Sequence, residues 1–178
     1  MIITSIHAST QAQDRMDYTI PIEVEGSLKK VSRVLFDTKS YPNWNSVFEL
    51  NENEDFKIGK KFRVKFKDSD GKTRAFNAKL IRKTEHSFVA QQKVFFGWIL
   101  KATHHFVLKE IDSESVQFTQ HFELGGLLGH LMRKKIIESL VVFEQVNEEL
   151  KNHIEKNLSH DLYNRLIVLT FSHFPPPR

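Results

Sequence analysis

A chain of 178 residues with 40% apolar and 27% charged side chains has the balance of an ordinary globular protein and can bury one sizeable core. It contains no cysteine, which excludes disulfides and thiolate metal sites, and its net charge is a modest +4. Fifteen Phe stand against 2 Trp and 3 Tyr; Phe has no polar handle, so many of these rings must line a core or an apolar cavity.

Met1–Asp14 has no sustained apolar stretch and no segment reaches transmembrane length, so a cytoplasmic protein without a secretory leader is expected. Residues 1–16 read as a polar arm. Alternation of Tyr18, Ile20, Ile22 and Val24 with Thr19, Glu23 and Glu25 then predicts a first strand. Gly26-Ser27 ends it, with Ser27 placed to cap a short helix carrying Leu28, Val31, Val34 and Leu35. That helix closes before Tyr41-Pro42-Asn43-Trp44-Asn45, a rigid corner in which Pro42 fixes its own φ and disfavours helical Tyr41.

After the corner the period changes to two. Val47–Asn51 is a weak strand, and Lys60–Lys67 joins Thr73–Lys83 through Asp68-Ser69-Asp70-Gly71 as a hairpin. Ser87–Phe95, Trp98–Ile111 and Ser115–Leu124 follow, with connections too short for crossover helices, so neighbours should pair antiparallel. Gly125-Gly126 breaks the pattern. From Leu127 to Asn157 the spacing is helical, with a stripe of Leu128, Leu131, Met132, Leu140, Phe143, Asn147, Leu150 and Ile154. Such a stripe needs the sheet as its partner. Residues 158–178 form an extension with the apolar run Leu166–Phe171 and then Pro175-Pro176-Pro177. It reads as an added strand, a helix continuation or a segment that pairs two copies in a homodimer.

Strand parity gives the inward face a definite composition. Phe62, Phe66 and Phe76 come from the hairpin, and Trp98, His104, Phe106, Phe118 and Gln120 from the later strands. Phe143 and Asn147 come from the long helix, and Trp44 stands at one end. An apolar lining with a few polar groups is the usual make-up of a ligand pocket, although a filled core has the same pattern. Lys61, Arg63, Lys65 and Lys67 share the opposite parity, as on the solvated face of an antiparallel sheet, so nucleic acid is not an expected partner. His104 is the one candidate acid or base, and no catalytic residue is assigned. His121 and Glu123 fall on the outer face. There is no His pair at metal spacing on one helix face, no P-loop lysine and no nucleophile elbow, so neither metal nor cofactor is expected.

The Tyr41–Asn45 corner resembles the Tyr-Pro-x-Trp-Asn corner of the START-like, polyketide cyclase/dehydrase superfamily. His105-Phe106-Val107-Leu108 is similar to a His-x-Phe-x-Leu strand of that group, and Gln120–Leu128 to its passage into the final helix. The resemblance implies an α+β helix-grip fold: a curved antiparallel sheet of about seven strands around a long C-terminal helix, with a short helical segment between the first two strands, over residues 17–157. It also implies an internal cavity that binds a hydrophobic small molecule such as a lipid, polyketide or quinone. A cyclase- or dehydratase-like enzyme in the same cavity, and a module that docks RNA or protein, are the alternatives.

Overall fold

The computed structural model describes residues 16–50, 56–67, 71–94, 98–127, 131 and 133–171, with side chains up to Ser159. The N-terminal arm, the Asp68–Asp70 and Phe96-Gly97 turns, Leu128, Met132 and the terminal proline run lie outside the described residues. Seven strands form one antiparallel sheet: β1 (Met16–Glu25), β2 (Phe48–Leu50), β3 (Lys61–Lys67), β4 (Thr73–Lys83), β5 (Ser87–Val94), β6 (Leu100–Glu110) and β7 (Ser115–Gly125). Their spatial order is β1-β7-β6-β5-β4-β3-β2, so the first two strands in sequence occupy opposite edges. Helix α1 (Leu28–Phe36) and a 3₁₀ turn (Thr38–Asn43) connect them. Among the described residues two helices follow the sheet, α2 (Arg133–Leu140) and α3 (Val142–Phe171). This is the helix-grip arrangement that the order of elements implies.

Alternation is what makes the strands. On β3, Phe62 and Val64 are buried while Lys61, Arg63, Lys65 and Lys67 are exposed, so the basic run is a solvated face. One register shift falls between Leu80 and Arg82 on β4. Leu80 faces the core and Arg82 pairs with Val89, which brings Lys83 opposite Phe88. The Lys83 ammonium then lies 5.9 Å from the Phe36 ring and 5.2 Å from the Phe56 ring.

The corner differs from the sequence expectation in one respect: Tyr41 and Pro42 continue the helical direction as a 3₁₀ turn. Pro42 donates no hydrogen bond within it; the turn is carried by the Ser40 amide donating to the Asp37 carbonyl at 3.0 Å and the Trp44 amide to the Tyr41 carbonyl at 3.1 Å. Tyr41 is buried and its hydroxyl donates to the Leu35 carbonyl at 2.6 Å, tying the corner to the end of α1. The Asn45 side-chain oxygen accepts from the Val47 and Phe48 amides at 2.9 and 3.2 Å, starting β2. Ser27 sits at the helix N-cap, but its hydroxyl makes no capping bond there.

From Arg133 onward the predicted single helix is broken at Val141 into α2 and α3. Leu140, Phe143, Val146, Asn147, Leu150 and Ile154 are the buried stripe, whereas Leu131 is exposed because burial begins further into α2. Helix α3 also runs past residue 157, to Phe171, since no Gly or Pro interrupts the chain before Pro175. Residues 158–171 are therefore a helix continuation, not a strand. Among the described residues no helix is long and apolar enough to cross a membrane.

Candidate functional site

Between the sheet and α3 lies a cavity of about 90 Å³. Its walls are built mostly by parity: Phe62 and Val64 from β3, Phe76 and Ala78 from β4, Phe88, Ala90 and Gln92 from β5, Ala102, His104 and Phe106 from β6, and Phe122 from β7, with Thr103 the one lining residue of opposite parity. Tyr41, Phe48, Leu50 and Phe56 close the side formed by the corner and β2, and Phe143 closes it from α3.

The aromatic rings form a nearly continuous belt. Phe88 stacks on Phe106 at 4.1 Å, Phe106 meets His104 at 3.9 Å, and His104 stacks on Phe122 at 3.8 Å. Phe122 and Phe143 are 5.0 Å apart, and Phe56 lies 5.2 Å from both Phe62 and Phe88. Stacked and edge contacts of this kind pack the rings against each other along the cavity wall.

A chain of buried polar groups runs from α3 across the sheet to the cavity. The Asn147 amide donates to the Ile20 carbonyl at 3.0 Å. The Gln120 amide donates to the Phe143 carbonyl at 3.0 Å and to Asn147 Oδ1 at 2.6 Å. Gln120 Oε1 lies 2.9 Å from His104 Nε2. Burial lowers the His104 pKa to about 3, the hydrogen bond to Gln120 opposing that shift only in part, so the imidazole is neutral at physiological pH.

Of the residues that the sequence places in the lining, Phe62, Phe76, His104, Phe106 and Phe143 are in it. The others lie elsewhere. Trp98 is 80% exposed, because β6 begins at Leu100 and strand parity does not reach the preceding turn. Gln120 and Asn147 are buried behind the wall, their polar atoms engaged with each other and with backbone. Phe118 is fully buried in the packed core. Phe66 is half-buried against the core, 5.7 Å from Phe76, and is not part of the lining. Trp44 packs against Tyr41 at 4.8 Å and supports the wall from behind. Sequence reasoning missed Tyr41, Phe48, Phe56 and Phe88 as lining. Phe88 carried the signal: in the paired register it faces Phe106.

On the opposite face of the sheet, His105 Nε2 is 3.2 Å from Glu123, and His121 Nε2 is 3.7 Å from Asp17 and 3.9 Å from Glu123. His104 and His105 thus diverge as adjacent strand residues must. Among the described residues no three His, Cys, Asp or Glu side chains are placed to share a metal ion.

No protein-family model and no curated protein matches the chain. Solved structures do match. A START superfamily protein from Mycobacterium smegmatis is 17% identical with a TM-score of 0.60, covering 79% of this chain and 97% of that one. Norcoclaurine synthase from Thalictrum flavum, in complex with dopamine and hydroxybenzaldehyde, is 12% identical with a TM-score of 0.61, covering 88% and 96%. The di-domain aromatase/cyclase StfQ from the steffimycin biosynthetic pathway is 13% identical with a TM-score of 0.60; the match covers 82% of this chain and 52% of StfQ. The chain therefore spans about half the length of that di-domain protein. These likenesses define the fold as the START-like helix-grip fold. At such identities they carry the fold and no particular activity.

Proposed function

We propose that this protein binds a small hydrophobic, ring-bearing molecule in the cavity and holds or carries it without chemical change. The observation that carries this reading is the aromatic belt around a neutral His104: apolar walls supply affinity, and one polar group supplies orientation. The solved neighbours support a ligand-binding use of the fold, one of them in complex with two single-ring compounds.

Volume narrows the class of ligand. At about 90 Å³ the cavity is smaller than the roughly 150 Å³ that admits benzene elsewhere, and well below the roughly 300 Å³ where drug-sized pockets begin. A one-ring compound therefore needs only small side-chain adjustments. A long-chain lipid, a quinone or a full polyketide requires the walls to part.

The cyclase- or dehydratase-like alternative is favoured by the aromatase/cyclase neighbour but fits the site less well. General acid or base catalysis works best with a group titrating near neutrality. His104 is held far below that range, and its Nε2 is already bonded.

Titration of the full chain with benzene and phenol, followed by NMR shifts and thermal unfolding, tests the binding reading. Shifts should concentrate at Phe62, Phe106, Phe122 and Phe143. A ligand at a hundred times its Kd should stabilise by about 2.7 kcal/mol, which is several degrees in Tm for a domain of this size. Shifts scattered over the surface with an unchanged Tm would reject it.

A further inference from the structure

The structure assigns the polarity of the molecule that fills this cavity: we propose a neutral ring compound that donates a hydrogen bond, through a hydroxyl or an N–H group, to Nδ1 of His104. This rests on the cavity-binding reading above and adds to it a specific chemical requirement.

Backbone carbonyls fix the direction of every proton in the buried chain. The Ile20 carbonyl can only accept, so the Asn147 atom facing it is the amide nitrogen, which leaves Asn147 Oδ1 towards Gln120. The Phe143 carbonyl can likewise only accept, so the Gln120 nitrogen faces it and spends its second proton on Asn147 Oδ1. Gln120 Oε1 is thereby left as the acceptor facing His104 Nε2. Nε2 must therefore carry a proton.

A neutral imidazole protonated at Nε2 bears a lone pair at Nδ1. Burial among Phe106, Phe122 and Phe143 opposes a second proton there. Among the described residues nothing donates to Nδ1. Yet His104 is only half-buried and belongs to the cavity wall, and its Nδ1 is not among the buried side-chain atoms left without a partner, so this nitrogen keeps accessible surface. An accessible acceptor in an otherwise apolar wall is a place where a bound donor gains a hydrogen bond that the protein itself does not supply.

The same inventory excludes other ligand types. A carboxylate or phenolate would set a lone pair against a lone pair, and among the described residues the lining contains no Lys or Arg to offset its charge. A hydrocarbon or an ether fills the space but leaves Nδ1 unpaired. Gln120 and Asn147 are positioning residues in this scheme: they act on the ligand only by fixing the tautomer of His104.

Phenol, anisole and benzene are the probes, titrated into the full chain and into His104→Phe, which keeps an aromatic ring and removes the acceptor. Phenol should bind wild type about tenfold more tightly than anisole, equivalent to about 1.4 kcal/mol, and the variant should bring the two within about twofold. Long-range ¹H–¹⁵N spectra of the wild type should show His104 protonated at Nε2 alone, with the Nδ1 signal moving on addition of phenol and not of anisole. That measurement decides the matter if the variant fails to fold. Equal affinity for all three probes, or a His104 protonated at Nδ1, overturns the donor requirement while leaving the binding reading intact. Failure of all three probes to bind overturns both.

Discussion

Protonating His104 in the folded chain places a cation among Phe106, Phe122 and Phe143, where desolvation outweighs the single hydrogen bond to Gln120. The folded pKa of about 3 lies below the ordinary 6.5, so the unfolded chain takes up this proton first as pH falls. Stability from this group is complete above about pH 6.5 and is lost progressively toward pH 3, at up to about 1.4 kcal/mol per pH unit. Urea unfolding between about pH 6.5 and 4.5 should show this slope in wild type and a shallower one in His104→Phe; parallel slopes would disprove it. At this scale the sequence was informative about direction and uninformative about partners. Parity placed His104, Phe106, Phe62 and Phe76 on the inner face because strand side chains alternate without exception between bulges. It could not show that Gln120 and Asn147 consume each other's hydrogen bonds, since that pairing joins residues from β7 and α3 only after the helix docks. Trp98 misled for a related reason: alternation was extended two residues beyond the strand that generates it.

Strands and helices here depend on a few points where one element gives way to the next. Gly126 turns the chain from β7 toward α2 with φ of +90°, and a Cβ at that position would come within 2.7 Å of the Ile99 carbonyl oxygen. Both the backbone conformation and the close approach call for glycine. Gly59 has a similar φ of +85°, but a Cβ there meets nothing within 4 Å. Gly126→Ala should therefore cost about 3 kcal/mol or more and Gly59→Ala about 1 kcal/mol, read as shifts in Tm. Equal shifts would show that the Ile99 carbonyl yields freely. The hairpins were legible because each strand alternates and each connection is short. The shift between Leu80 and Arg82 was not, because the run Leu80-Ile81-Arg82-Lys83 carries no Gly or Pro to mark it. The separation of α2 from α3 at Val141 is equally unmarked.

The molecule as a whole is organised by the sheet order, in which β1 is hydrogen-bonded to β7 with Met16 opposite Leu124 and Glu25 opposite Ser115. The succession of strand, short helix, strands and long helix was readable from changes of hydrophobic period, and it was enough to specify the architecture. Whether the interior was hollow was not readable, because a packed core and a cavity wall have the same pattern. Sheet order has a further consequence, in time. During synthesis β1 emerges first, yet its partner is completed about a hundred residues later, some 5–20 s at usual elongation rates. Throughout that interval Tyr18, Ile20 and Val24 have no strand to pair with. Chains stalled on the ribosome at residue 114 should be cut readily by protease within residues 16–25, and chains extended to Phe171 should resist. Early protection of that stretch would instead mean that β1 is held by α1 alone. The first strand made is the last to be secured, so completing the sheet that walls this cavity waits for the return of the chain's end to its beginning.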